Sequence, residues 1–189
     1  MSDDLLRIHS FVPRSRANGP GWRSVVWLQG CSLGCPGCFN PETHPVLGGH
    51  SVSVADLFVQ IAAMSEQVEG VTLSGGEPLQ QPGGLRSLLR RVRSETELSV
   101  ILLTGFSWHE VQSFPNIDEW RSLVDVLIAG RYDFRQHLAR GLRGSANKTI
   151  HFFSERYEQA DFDRAPTSEV ILNADGEIVV TGVEPMRWS

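Results

Sequence analysis

The amino-acid sequence predicts an α/β domain of parallel βαβ units that ends in a β-hairpin. Short apolar runs alternate with amphipathic stretches, the pattern of strands joined by crossover helices of about 10–15 residues. The apolar runs end on glycine-bearing turns: Leu73 is followed by Ser74-Gly75-Gly76, Leu103 by Thr104-Gly105 and Ile128 by Ala129-Gly130. Near the C-terminus, Val170-Ile171-Leu172 and Ile178-Val179-Val180 flank Asp175-Gly176, a hairpin signal.

Taken in order, Leu5 to Phe11 reads as a first strand, followed by turn chemistry at Asn18-Gly19-Pro20-Gly21. Val25 to Leu28 reads as a buried strand. Residues 29–50, rich in Gly, Pro, Cys and Asn, read as a long loop, and long loops inside compact domains are usually functional. Ser53 and Asp56 have capping-box spacing ahead of a helix carrying Leu57, Phe58, Ile61 and Ala62. Val71 to Leu73 is a strand. Leu85, Leu88, Leu89 and Val92 mark a helix whose Arg90, Arg91 and Arg93 are expected to face solvent. Val100 to Leu103 is a strand, Ser107 and Glu110 form a second capping box, and Val124 to Ile128 is another strand. Residues 131–148 read as irregular and carry Arg131, Arg135, Arg140 and Arg143; Thr149 to Phe153 reads as a further strand after them.

The chain has 189 residues, which fits a single domain over residues 1–189 with a proper core. Hydrophobic residues make up 41% and charged residues 21%, a globular balance. A net charge of −5 argues against a partner held through nucleic-acid phosphates. No apolar run exceeds four residues, so no bilayer span is expected, and Met1-Ser2-Asp3-Asp4 is acidic where a signal peptide is basic. The expectation is a cytoplasmic protein with neither nucleic-acid nor membrane partners. Among 17 basic residues Lys148 alone is lysine, which coding bias toward arginine explains.

Three cysteines, Cys31, Cys35 and Cys38, are the only ones in the chain, spaced C-x3-C-x2-C. An odd number in one tight cluster is no disulfide framework. The spacing leaves three readings open. The thiols could hold a 4Fe-4S cluster, which normally takes four cysteines and here would keep one iron open. They could bind structural zinc with His44 as fourth ligand, although zinc favours paired C-x2-C knuckles. They could be inert buried thiols. Gly30, Gly34 and Gly37 would let the loop wrap a cube. Ligands of parallel α/β sheets sit outside the carboxyl ends of the strands, so the glycine turns and the cysteine loop are expected to converge.

Cys31, Cys35 and Cys38 followed by Gly75-Gly76-Glu77-Pro78 resemble the radical S-adenosylmethionine (SAM) superfamily. Further stretches resemble its branch that activates anaerobic ribonucleotide reductase. They include Asn18-Gly19-Pro20-Gly21-Trp22-Arg23, Gln29-Gly30-Cys31, Cys38-Phe39-Asn40-Pro41-Glu42-Thr43, Leu103-Thr104-Gly105-Phe106, Val124 to Ile128, and Arg143-Gly144-Ser145-Ala146-Asn147. The resemblance implies an incomplete parallel (β/α) barrel of the radical SAM type with a C-terminal hairpin, and one 4Fe-4S cluster on the three cysteines. It implies that the open iron chelates the methionine part of SAM, while the Gly75–Pro78 turn, with the charge of Glu77, takes the methionine ammonium. An electron from the cluster then yields a 5′-deoxyadenosyl radical that takes a hydrogen from a glycine of a large reductase subunit. The electron comes from a flavodoxin- or ferredoxin-type donor.

By the same resemblance Gly37 precedes the third cysteine where many relatives carry an aromatic, Phe39 is the candidate adenine-stacking ring, and Thr104 and Gly105 line the adenosine site. Arg135, Arg140 and Arg143 are the candidate docking residues. The family pattern has an acidic residue at Ala129 and a Gln-Arg pair near Lys148; this chain has neither. Two other functions fit: a radical SAM enzyme acting on another protein, peptide or small molecule, and a metal-binding interaction module, which has no need of the Gly-Gly-Glu-Pro turn.

Overall fold

A computed structural model describes residues 5–172 and 176–184. Its centre is a sheet with strand order β3-β1-β2-β4-β5-β6-β9. Strands β2 (Arg23–Leu28), β4 (Gly70–Gly75), β5 (Ser99–Leu103) and β6 (Val126–Ala129) run parallel. Strands β1 (Leu5–Ser15), β3 (His50–Ser53) and β9 (Thr149–Phe152) pair antiparallel at the flanks. The sheet is largely parallel, as expected, with edges at β3 and β9, and its flanking strands run antiparallel. A parallel neighbour requires a crossover of a dozen or more residues. Only the segments leading into β4, β5 and β6 supply helices; β1 turns straight into β2, and the chain between β6 and β9 contains no α-helix.

Side chains alternate cleanly across the parallel strands. Val71, Leu73, Val100, Leu102, Leu127 and Ala129 face a layer of helices: α1 (Val54–Ala62), α2 (Pro82–Glu95), α3 (Trp108–Gln112) and α4 (Ile117–Leu123). Ile101, Val126 and Ile128 face the other way. They pack against Leu142, Phe162 of α5 (Gln159–Asp163) and Val183, beside the C-terminal hairpin β10 (Ser168–Leu172) and β11 (Ile178–Gly182). That second face is where Thr72 and Ser74 of β4 point, and it is the concave side on which the site forms. Among the described residues no helix is long and apolar enough to cross a membrane.

Both capping signals hold. Ser53 accepts from the Asp56 amide, and Ser107 and Glu110 form a reciprocal capping box. Three local expectations are corrected. Between β5 and β6 there are two short helices rather than one of 10–15 residues, because Pro115 interrupts the chain and Asn116 takes a left-handed conformation with φ 61°. Arg93 turns inward and its guanidinium meets Asp125 at 2.9 Å, whereas Arg90 and Arg91 remain outside and pair with Glu119 and Glu95. Residues 131–148 are not irregular throughout. They contain a 3-10 turn at Phe134–Gln136 and the strand pair β7 (His137–Arg140) and β8 (Arg143–Ser145). The connecting Gly141 and Leu142 have φ 60° and 59°, as a tight primed turn demands. A left-handed leucine is costly and carries no turn signature; burial of the Leu142 side chain in the second core offsets the strain. The hairpin signal at the C-terminus is matched by β10 and β11, but Asp175 of its turn, like Met1 to Asp4, lies outside the described residues.

At the end of the sheet opposite the glycine turns, two buried polar anchors hold the strands. The Arg23 side chain is fully buried. Nε donates to Thr72 Oγ1 at 2.7 Å, and the terminal nitrogens donate to Ser99 Oγ, Tyr157 Oη, the Val71 carbonyl and the Ser99 carbonyl at 2.9–3.1 Å. A Cβ on Gly70 would come within 2.5 Å of this guanidinium, so glycine makes room for it. Asp125 accepts from the Val100 amide and Ser154 Oγ, both at 2.7 Å. Burial pushes its carboxyl up, but Ser154, the Val100 amide and Arg93 together hold it below the ordinary value.

Two predictions follow from these contacts. Replacing Arg23 by Lys exchanges a five-donor fork for three donors and leaves buried acceptors unpaired. The expected loss is roughly 2–4 kcal/mol in urea unfolding of the apoprotein; a loss below about 0.5 kcal/mol removes Arg23 as an anchor. Glu110 is paired by Arg131 and capped by Ser107, which hold its carboxyl down at about 2. A depressed carboxyl stabilises fully above its unfolded value, about 4.3, and the contribution drains away as pH falls toward 2. The thermal midpoint of wild type should therefore exceed that of Glu110→Gln above pH 5, with the gap closing between pH 4 and 2.

Candidate functional site

The four parallel strands end on one side of the sheet, and the cysteine loop leaves from the first of them. After β2, Gln29 is buried and nails the loop down. Its Nε2 donates to the carbonyls of Glu42 and Pro45 at 3.1 and 2.8 Å, and its own carbonyl accepts from Gln81. The amides of Gly30 and Cys31 donate to the carbonyls of Thr43 and His44. Gln80 grips the loop from the other side through Ser32, donating to its Oγ at 2.6 Å and accepting from its amide at 3.1 Å. Cys31, Cys35 and Cys38 are half-buried and free of disulfides. Burial pushes the thiols of Cys31 and Cys38 up.

The Gly75–Pro78 turn lies against this loop. The Gly76 amide donates to the Leu28 carbonyl and the Glu77 amide to the Gly30 carbonyl, at 2.8 and 2.9 Å. A Cβ on Gly76 would sit 2.4 Å from the Gly30 oxygen. Glycine here thus admits the cysteine loop itself, before any ligand is considered. Gly75, at φ 102°, likewise leaves room for the Leu28 backbone.

Glu77 is buried and its carboxylate is fully engaged. Oε1 accepts from the Leu79 amide at 2.9 Å and Thr104 Oγ1 at 2.7 Å, and Oε2 accepts from the Gly105 amide at 2.7 Å. Burial pushes the carboxyl up, against the pull of those three donors. Pro78 opens the 3-10 turn that presents the Leu79 amide. Glu77, Thr104 and Gly105 thus form one knot joining the ends of β4 and β5. The Gly130 amide extends it to β6 by donating to the Phe106 carbonyl at 2.8 Å.

These ends enclose a pocket of about 100 Å³ lined by all three cysteines, Gly75, Gly76, Glu77, Thr104 and Gly105. It adjoins a groove of about 770 Å³ between β1 and the terminal hairpin, with Trp27, Phe39, Asn40 and Gly182 common to both. Sites for cofactor-sized ligands usually measure about 300–1,000 Å³, so the pocket alone is smaller than such a site and the adjoining groove falls within that range. Asn18 closes the hairpin over this face by donating to Ser15 Oγ and Thr181 Oγ1, both at 2.8 Å. Phe39 stands at the junction, edge-on to Tyr132 at 5.2 Å. Gly37, at φ 69°, packs beneath Phe134.

The donor set suits a cluster better than a single ion. Among the described residues no three His, Cys, Asp or Glu side chains converge as ligands of one metal ion must. A zinc ion draws its thiolates to about 2.3 Å from one centre, whereas each cysteine of a cube binds a different iron. His44 lines the pocket, and its carbonyl holds the Cys31 amide.

The predicted docking arginines stay outside this pocket. Arg135 is exposed and paired with Asp133, Arg140 is exposed and 3.5 Å from Asp163, and Arg143 is half-buried. Lys148, which the sequence reading set aside, does line it; its ammonium donates to the Gly130 carbonyl. Its being the single lysine was the available signal. Gln80 and Gln81 had none, since their roles depend on the 3-10 turn after Pro78.

Replacing Glu77 by Gln turns one acceptor oxygen into a donor facing other donors. The expected cost is roughly 1–3 kcal/mol in urea unfolding of the apoprotein, with Glu42→Gln, on the exposed rim, near zero. Equal stability of the two variants would mean that the knot does not hold the strand ends.

Residues 17–151 match the family described as a 4Fe-4S single cluster domain. The anaerobic ribonucleoside-triphosphate reductase-activating protein of Vibrio cholerae is 31% identical, over 79% of this chain and 99% of its own length. Its counterpart in Escherichia coli is 29% identical, over 77% and 98%. The pyruvate formate-lyase 1-activating enzyme of Escherichia coli is 31% identical over 77% of this chain, but the match spans 60% of that longer protein. QueE from Escherichia coli superposes with a TM-score of 0.45 at 17% identity, over 55% of this chain and 54% of that one. With its three-thiol loop set against the Gly-Gly-Glu-Pro turn, this chain belongs to the 4Fe-4S single cluster domain family and, within it, to the radical SAM activating enzymes.

Proposed function

We propose that the chain is the activase of an anaerobic ribonucleotide reductase: it cleaves SAM reductively and leaves a radical on a glycine of the large reductase subunit. The observation that carries this reading is the match to the Vibrio cholerae activating protein over 99% of that protein's length. Cys31, Cys35 and Cys38 would hold the cluster, one thiolate to each of three irons. When bound, the cluster and SAM supply the electron and the 5′-deoxyadenosyl radical.

The chain's own residues position and shield that chemistry. Glu77 keeps a carboxylate at the pocket wall, oriented by Leu79, Thr104 and Gly105, for the methionine ammonium. Gly75, Gly76 and Pro78 shape the turn that brings it there, and Thr104 and Gly105 border the nucleoside. Gly37 keeps the loop clear beside Cys38, and Phe39, between pocket and groove, offers its ring to the adenine. The groove is the open approach for the partner's glycine segment, with Arg135, Arg140 and Arg143 on the neighbouring rim. A flavodoxin- or ferredoxin-type protein would deliver the electron near the half-buried cysteines. The 31% identity to the pyruvate formate-lyase activator supports a second reading, in which the partner is another glycyl-radical enzyme.

The test is anaerobic reconstitution followed by electron paramagnetic resonance. About four irons and four sulfides per chain are expected. With SAM and reductant, a glycyl radical should appear on the reductase large subunit and not on pyruvate formate-lyase. SAM cleavage without a radical on the reductase would overturn the proposed partner. Gly76→Val should lose most of its iron, because the side chain meets the Gly30 backbone; full iron retention with weakened SAM affinity would return that glycine to a ligand-clearance role alone.

A further inference from the structure

We propose that Lys148 is the counter-charge built into this site, a positioning residue that raises the reduction potential of the cluster on Cys31, Cys35 and Cys38. The inference rests on the reading that those cysteines hold the cluster.

Lys148 lies just ahead of β9, and its ammonium is tethered to the Gly130 carbonyl at the end of β6. The strands approach closely there: a Cβ on Gly130 would stand 3.4 Å from the Lys148 Cα. The side chain therefore has a fixed place in the wall of the cysteine pocket, across from the loop. No carboxylate pairs with it among the described residues, and one carbonyl is its whole hydrogen-bonding complement. The other cation near the cysteines, Arg131, is already clamped by both oxygens of Glu110. Burial pulls the Lys148 ammonium down, and the groups that pull it back are Cys35, Glu77 and Cys38.

A half-buried ammonium with no ion-pair partner among the described residues is costly, and such charges are retained where an opposite charge arrives. The thiolates are that charge. A cube held by three thiolates is net negative and becomes more so on taking up an electron. A fixed cation nearby stabilises the reduced state more than the oxidised one, and local charge and hydrogen bonding are established levers on cluster potential. Glu77 pulls the potential the other way from the same pocket wall, and its buried carboxylate is an obstacle to reduction that Lys148 offsets.

The experiment compares wild type, Lys148→Met, Lys148→Gln and Lys148→Arg after anaerobic reconstitution, without SAM. Iron content is measured first, then the cluster midpoint potential by redox titration monitored by electron paramagnetic resonance. Met and Gln should lower the equilibrium constant for reduction about tenfold, a shift of about 59 mV toward negative potential for one electron. Arg should restore most of it. Unchanged potentials in Met and Gln overturn the proposal; if SAM affinity then falls in both, Lys148 serves the SAM carboxylate instead. Should Met and Gln fail to assemble a cluster, restoration of iron by Arg alone supports the counter-charge, and equal loss in Arg overturns it in favour of a steric role. Wild type that takes up no iron would fail the cysteine assignment, not this one.

Discussion

The site depends on the burial of one carboxylate. Glu77 sits at the end of a parallel strand, where backbone donors and acceptors have run out of sheet partners. It accepts from the Leu79 and Gly105 amides and from the Thr104 hydroxyl. Hydrogen bonds to an ionised acceptor are roughly twice as strong as neutral ones, and they grow stronger away from water. The same amides would otherwise be unsatisfied ends of β4 and β5. One side chain therefore fixes the spacing of two strand ends. Because the Glu77 amide also grips the Gly30 carbonyl, it sets where the cysteine loop can begin. A carboxylate acting as structural cement still presents its charge to the pocket it lines.

Arg23 performs the complementary task at the far end of the strands. Its partners are hydroxyls and carbonyls, with no carboxylate paired to it among the described residues, and burial pulls its guanidinium down. Five donors spread over β4, β5 and Tyr157 hold the strands in register from below while the Glu77 knot holds them from above. Between the two anchors the sheet is ordinary alternating hydrophobic packing. The chemistry-bearing loops are thus attached to a frame secured at both ends, which is what a site assembled from four strand ends requires.

Much of this was legible in the sequence. Elements with an apolar period and a capping signal appeared where expected, because Ser53 and Ser107 each announce a helix through short-range hydrogen bonds. The cysteine loop and the glycine turns were legible as chemistry, since three thiols and tight turns are local features. What was not legible depended on long-range partners. The antiparallel flanks of the sheet were not legible, because strand direction there is set by connection length and not by the strand's own residues. The β7–β8 pair was missed because Leu142 adopts a left-handed turn conformation that only its burial sustains. Arg93 was assigned to solvent by helical phase, but Asp125, from a distant segment, captures it. Gln29, Gln80 and Gln81 gave no sign of gripping the cysteine loop, because an amide side chain acquires meaning only from the backbone groups around it.

Charge placement separates the parts of the site. Arg131, Arg135 and Arg140 looked alike as a cationic stretch, yet each is answered by a neighbouring acid: Glu110, Asp133 and Asp163. Exposed pairs of this kind contribute little and leave weak net fields at the rim. Lys148 differs in standing half-buried in the pocket wall with no ion-pair partner among the described residues, where lower polarity makes a single charge count for more. Those three arginines are thus electrostatically quiet, whereas Arg143 and Lys148 have no ion pair among the described residues. The cationic stretch is therefore not one uniform patch, and the ammonium that stands in the pocket wall is that of Lys148.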